Sequence, residues 1–224
     1  MLDIKSVRKE FPILKKKIRG KPLCYLDNGA SAQKPKVVID TIKKGYESEY
    51  ANVHRGLHFL SNLATDKFES VRNKVKNFLG AEYEKEIIFT SGSTEGINLV
   101  AYSWARHNLK KGDEILLSIA EHHSNIVPWH FLRNSKKIKI EFAEINEAGE
   151  VTIESIKNKI TNRTKIISVT HLSNVTGAIL PIKEIVELAH SKNIPVLVDG
   201  CQGAPHLKLD MQDLDCDFYA ISCH

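Results

Sequence analysis

What this chain lacks narrows it first. Its 224 residues hold no apolar run close to the roughly 20 that a helix needs to cross a bilayer. Its start, MLDIKSVRKEF, mixes acid and base from the third residue on, unlike a secretory leader or an acid-poor transit peptide. The expected location is the cytoplasm, with no membrane partner. Cysteines number only four, Cys24, Cys201, Cys216 and Cys223, and none form a C-x-x-C pair. A disulfide framework is therefore not expected, and buried free thiols are. Zinc ligation by Cys201, Cys223 and a nearby His draws little support from the spacing. There is no H-E-x-x-H and no Gly-Lys-Ser/Thr of a Walker loop, so no metal site is expected. Internal repeats, low-complexity tracts and an obvious linker are also missing.

What is present suits a soluble globular chain. Hydrophobic residues make up 42% and charged residues 26%. The length is enough for one large domain or a domain and a half. The net charge is +5, but the lysines are scattered. The small clusters at Lys15–Lys17, Lys110–Lys111 and Lys136–Lys137 sit beside turns and read as solvated surface, not as a nucleic-acid site.

Short apolar runs alternate with amphipathic stretches. Strands are expected at 86–90 (EIIFT), 114–118 (EILLS), 138–142, 165–170 (KIISVT), 195–199 (PVLVD) and 217–222 (DFYAIS). They are apolar on both faces, which suits a parallel sheet covered on both sides. Helices are expected between them. In 61–79, Ala64, Phe68, Val71, Val75 and Phe78 share one face. A second helix follows at 94–108, and 181–191 opens with a proline suited to a first helical position. The rhythm predicts an α/β fold, a mostly parallel sheet flanked by helices. Residues 1–60 are expected to form an N-terminal segment, and 61–224 the large domain.

In open α/β sheets, ligands gather at the carboxyl ends of the strands. Polar residues predicted to fall there include Ser91 to Thr94, His122 and His123, His171, Ser173 and Asn174, Asp199 and Gln202, and Ser222 and His224. Strand, small-residue loop and helix in IIFTSGSTEGINLV form a candidate phosphate cradle around Gly92, Ser93 and Thr94; a plain N-cap with a tight turn is the alternative. Asp199 either caps a turn or meets a cationic ring nitrogen. In EHHSN, one imidazole either stacks on a planar cofactor and moves protons or lies in an exposed loop. Asn174, in THLSNVTG, either donates to a phenolate-like oxygen or fixes its turn. NVHRGLHFLS places His54, Arg55 and His58 in a loop between helices, for an active site or for capping.

Taken together, YLDNGASAQKP, NVHRGLHFLS, FTSGSTEGINLVA, EHHSNIVPW, THLSNVTGAILP, VLVDGCQ and LDCDFYAISCH resemble the class V aminotransferase family of fold type I, specifically the SUF-type cysteine desulfurases. The resemblance runs the whole chain and matches roughly the first half of a member. It implies pyridoxal 5'-phosphate (PLP) as cofactor. Ser93, Thr94, Ser222 and His224 would bind its phosphate. His122 would stack on the ring and transfer protons. Asp199 would pair with the ring nitrogen, and Asn174 and Gln202 would bond near its phenolic oxygen. His54 and Arg55 would line the substrate side. The implied reaction takes sulfur from L-cysteine, leaves alanine, and passes an enzyme persulfide to an acceptor protein for iron–sulfur cluster assembly. Members are homodimers.

In the family, the Schiff-base lysine follows the final His, and the nucleophilic cysteine and carboxylate-binding arginine lie further on. This chain ends at His224, so on its own it is expected to be inactive, as a truncated large domain. Cys201 and Cys223 stand where small residues are common. A selenocysteine lyase or another class V enzyme, a non-catalytic remnant of a disrupted gene, and a zinc hydrolase are the alternatives.

Overall fold

The computed structural model describes residues 3–223. They form two compact units that divide between Lys74 and Val75.

In the first unit, Asp3 caps α1 (Ile4–Lys9), its carboxylate accepting from the Lys5 and Ser6 N–H groups at 3.1 and 3.2 Å. A two-residue turn, Arg19–Gly20, joins the antiparallel ribbon β1 (Lys17–Ile18) and β2 (Lys21–Pro22). Both turn residues have positive φ, 51° and 78°, the backbone whose twist matches a hairpin. Helix α2 (Lys36–Lys44) continues into a π-helical turn, Gly45–Glu49. A loop with His54 and Arg55 then leads to α3 (Phe59–Leu79), inside which the unit boundary falls. The helix expected at 61–79 is there. Its apolar stripe is half open, however: Val71 and Phe78 are exposed, while Ala64, Phe68 and Val75 are partly covered.

The second unit carries the sheet. Helix α4 (Ser93–Val100) runs through a π-helical turn (Ala101–Ala105) into α5 (Arg106–Asn108). The order then alternates: β3 (Glu114–Ser118), α6 (Val127–Lys136), β4 (Lys139–Ala143), α7 (Ile153–Lys159), β5 (Thr164–Thr170), α8 (Ile182–His190) and β6 (Val196–Asp199). Two short helices, α9 (Gly203–His206) and α10 (Met211–Leu214), precede β7 (Phe218–Ala220). The five strands are all parallel, in the order β4-β3-β5-β6-β7.

Alternation sends neighbouring strand residues to opposite faces. Leu116, Ile167, Val169, Val196 and Val198 pack with Ile156 of α7 and Ile182, Ile185, Val186 and Ala189 of α8. Ile115, Leu117, Ile166 and Leu197 pack with Ile97, Ala101 and Ala105 on the α4 side and with Trp129 and Leu132 of α6. Each such aliphatic side chain withdrawn from water contributes about 1.5–3 kcal/mol. This is why near-continuous apolar runs, not alternating ones, mark these strands.

The α/β class and the parallel sheet are as expected from the sequence. Three local expectations need correction. Residues 86–90 join no strand ladder: Glu84–Glu86 is a 3-10 turn, and Ile88 and Phe89 are exposed. Among the described residues, β7 is the last strand in the order. Pro181 is the N-cap of α8 and not its first helical residue. The free thiols are not buried as a set: Cys24 and Cys223 are exposed, and Cys201 and Cys216 are intermediate. Cys24 and Cys223 lie in non-regular segments near the chain's two ends, outside the three apolar cores.

Candidate functional site

The start of α4 and the loops at the carboxyl ends of β3, β5, β6 and β7 supply the site. Gly92 opens α4 with φ 150° and ψ 179° and has no side chain to cap the first turn. The cap arrives from the far end of the chain: the Ser93 N–H donates to Ser222 Oγ at 2.8 Å, and the Ser222 hydroxyl donates to Ser93 Oγ at 3.0 Å. A Cβ on Gly92 would lie 3.2 Å from that Ser222 oxygen. Gly96 of α4 faces β7, where a Cβ on it would sit in ordinary contact, 3.6 Å from that of Ala220. Two hydroxyls thus meet at the N-terminus of α4, and Thr94 is exposed beside them.

Asp199 ends β6 and is 3% exposed. Its Oδ1 accepts the Cys201 N–H at 3.0 Å. Burial pushes its carboxyl above the ordinary range, a push opposed by that hydrogen bond and by the nearby His122. His122 caps the turn after β3. Its Nδ1 accepts the Ser124 N–H at 3.2 Å and lies 2.8 Å from Ser124 Oγ. An accepting Nδ1 leaves the proton of the neutral ring on Nε2. The ring is exposed, and it meets His123 edge-on.

The turn after Asp199 is shaped by a pair of which the sequence points only to His171 at the sheet rim. Tyr219 of β7 and His171, beyond β5, bond across β6, Oη to Nδ1, at 2.7 Å. The Tyr219 ring presses on the backbone beneath: a Cβ on Gly200 would lie 2.0 Å from its Cε1, and one on Gly203 would lie 2.7 Å from its hydroxyl. Burial lowers the His171 pKa and raises that of Tyr219. Gln202, the N-cap of α9, stands in this turn.

A second missed group is Glu121, buried next to His122. Its carboxylate accepts from Ser118 Oγ, from the Thr170 N–H at 2.9 Å and from Asn125 Nδ2 at 2.7 Å. Burial dominates and pushes its pKa up to about 7, against these hydrogen bonds and with a further push from Asp199. The sequence shows only a carboxylate at a strand's carboxyl end with Asn four residues on, which does not say that the side chain turns inward.

The structure brings Ser93 and Ser222 into contact and sets His122 within electrostatic reach of Asp199. Asn174 is exposed in the turn 173–177. His54 and Arg55 belong to the first unit, where His54 Nε2 lies 2.7 Å from Glu69 Oε1. His224 lies outside the described residues. Among the described residues, no three His, Cys, Asp or Glu side chains group to hold a metal, and no helix is long and apolar enough to cross a membrane.

These features suit a phosphorylated pyridine. A buried carboxyl whose pKa is raised, and which forms no ion pair among the described residues, matches a cationic ring nitrogen. The α4 terminus with its two serines matches a phosphate.

A cyanobacterial protein from Synechocystis sp., named "Probable cysteine desulfurase", is 47% identical over 219 residues, 98% of this chain and 52% of that protein. An apo cysteine desulfurase from Thermococcus onnurineus superposes with a TM-score of 0.90 at 35% identity, covering 99% of this chain and 53% of that one. A cysteine desulfurase from Escherichia coli gives 0.84 at 34% identity, covering 99% and 54%. The chain therefore spans about half the length of the relatives it matches. The family model described as aminotransferase class-V matches residues 24–224, which take in the whole sheet and its rim, and the chain belongs to that family.

Proposed function

We propose that this chain is the PLP-binding half of a cysteine desulfurase that converts L-cysteine to L-alanine and passes the sulfur, as an enzyme persulfide, to an acceptor protein for iron–sulfur cluster assembly. The observation that carries the reading is the buried Asp199 carboxyl at the same sheet rim as the Ser93–Ser222 cap.

Bound PLP supplies an electron sink for the substrate's Cα. The protein's own groups do the rest. Ser93, Thr94 and Ser222 hold the phosphate at the start of α4, with His224 as a further expected partner. Asp199 keeps the ring nitrogen protonated, its charge stabilised by the same cation that it stabilises. His122 covers the ring face and moves a proton through Nε2, the nitrogen its Ser124 contacts leave available. Asn174 and Gln202 donate toward the phenolic oxygen, and His54 and Arg55 line the substrate side. Residues 1–60 serve as the N-terminal segment and 61–224 as the large domain. The protein acts in the cytoplasm as a homodimer.

Titrating the chain with PLP tests the site. Absorbance and induced circular dichroism should saturate, and Asp199→Ala should weaken binding about a hundredfold or more, the scale of a lost buried charge pair. Equal affinity in the Asp199→Ala variant would remove the basis of the reading. Alanine release from L-cysteine against selenocysteine, measured in the full-length protein, separates a desulfurase from a selenocysteine lyase.

A further inference from the structure

The strand order makes the connections after β3 and after β5 leave in opposite directions, which opens a crevice between those two carboxyl ends. Glu121 spans it. In β5 the N–H groups of Ile167 and His171 bond to Pro195 and Asp199 carbonyls on the β6 side. Alternation turns the Thr170 N–H toward β3, whose pairing with β5 stops at Leu117↔Ser168. Glu121 Oε1 takes that proton at 2.9 Å, standing in for the next β3 carbonyl, and accepts from Ser118 Oγ as well. Its Oε2 accepts from Asn125 Nδ2 at 2.7 Å. Asn125 Oδ1 in turn accepts from Ser168 Oγ at 2.6 Å and from Trp129 Nε1 at 3.2 Å. The loop between the two arms is His122–His123–Ser124, and the Asn125 N–H closes it onto the His122 carbonyl at 2.8 Å.

We propose that Glu121 is a positioning residue for the site: through Asn125 it locks the switch-point crevice and holds the His122 loop in the one arrangement that presents its imidazole to the cofactor. This rests on the role given to His122 above. The bracket has a direction. As a carboxylate Glu121 offers only acceptors, Asn125 meets it with its amide NH2, and this leaves the Asn125 oxygen for Ser168 and Trp129. A Gln at 121 turns an NH2 toward an NH2. If Asn125 flips to meet it, Ser168 and Trp129 face donors. An Asp at 125 restores every bond to a Gln at 121.

The test compares Glu121→Gln, Asn125→Asp and the double exchange, reading the Trp129 indole N–H and the His122 imidazole signals by NMR without cofactor, then PLP affinity. The single variants should shift both sets of signals and weaken PLP binding about tenfold. The double exchange should return signals and affinity toward those of the parent chain. Loss of stability with unmoved His122 signals would reduce Glu121 to a structural role, as would a double exchange no closer to the parent than the singles. If Glu121→Gln does not fold, Ser118→Ala, which removes one of the carboxylate's bonds, serves as the probe with the same criteria. Failure of the parent chain to bind PLP strikes the function proposed above. Unmoved His122 signals strike only this inference, so the two failures are distinct.

Discussion

Replacing Gly200 by Ala tests how the Asp199 turn is built. The added methyl would lie 2.0, 2.2 and 2.6 Å from Cε1, Cζ and Oη of Tyr219. Carbon–carbon contact is comfortable from about 3.5 Å, so the ring must retreat by about 1.5 Å. It has little freedom to do so. Its hydroxyl is bonded to His171 Nδ1 at 2.7 Å, and its backbone is in the β6–β7 ladder. The other party cannot yield easily, because the Gly200 N–H donates to the Ala220 carbonyl at 2.8 Å. Overpacking of this kind costs about 1–3 kcal/mol, and a broken Tyr219–His171 bond adds about 1 kcal/mol. A total of about 2–4 kcal/mol should lower the urea midpoint by about 1 M or more. Far-UV circular dichroism across a urea series measures it. The decisive comparison is a double-mutant cycle with Tyr219→Ala: once the ring is gone, Gly200→Ala should cost less than about 1 kcal/mol. An equal cost with and without the ring would refute the argument.

Other outcomes follow from the same contacts. The raised Glu121 pKa means the folded chain holds that proton more tightly than the unfolded one. Stability should therefore fall as pH rises from the ordinary value of 4.5 through about 7, by about 3 kcal/mol in all. Asp199 and His122 are the neighbouring titrating groups, and Asp199 shifts in the same direction. Urea midpoints at several pH values should show the decline, and Glu121→Gln should flatten it. Ser222→Ala removes the cap that reaches α4 and should cost about 1 kcal/mol in thermal melts, with weaker phosphate binding by the chain. Ile185→Ala, at a fully buried position of α8, should cost about 2–5 kcal/mol in the same melts.

Much of the site was legible because its chemistry is local. The glycine and hydroxyls at the start of α4, and a carboxylate closing a Val-rich strand, announce themselves within a few residues. Glu121 was overlooked beside two histidines, since nothing in EHHSN says which side chain turns inward. The direction of its bonds depends on where β3 stops relative to β5. The strand expected at 86–90 is absent from the sheet among the described residues, although its composition suits one.

The sequence by itself determined the α/β class and the parallel sheet, because periodicity and turn chemistry are properties of short segments. Only the tertiary structure decided that Ser222 caps a helix starting 129 residues earlier, that Tyr219 leaves room for nothing larger than glycine at position 200, and that a buried glutamate bridges the ends of β3 and β5. Those are contacts between segments far apart in the chain. Their geometry follows from strand order and register, and the amino-acid pattern of any one segment does not contain it.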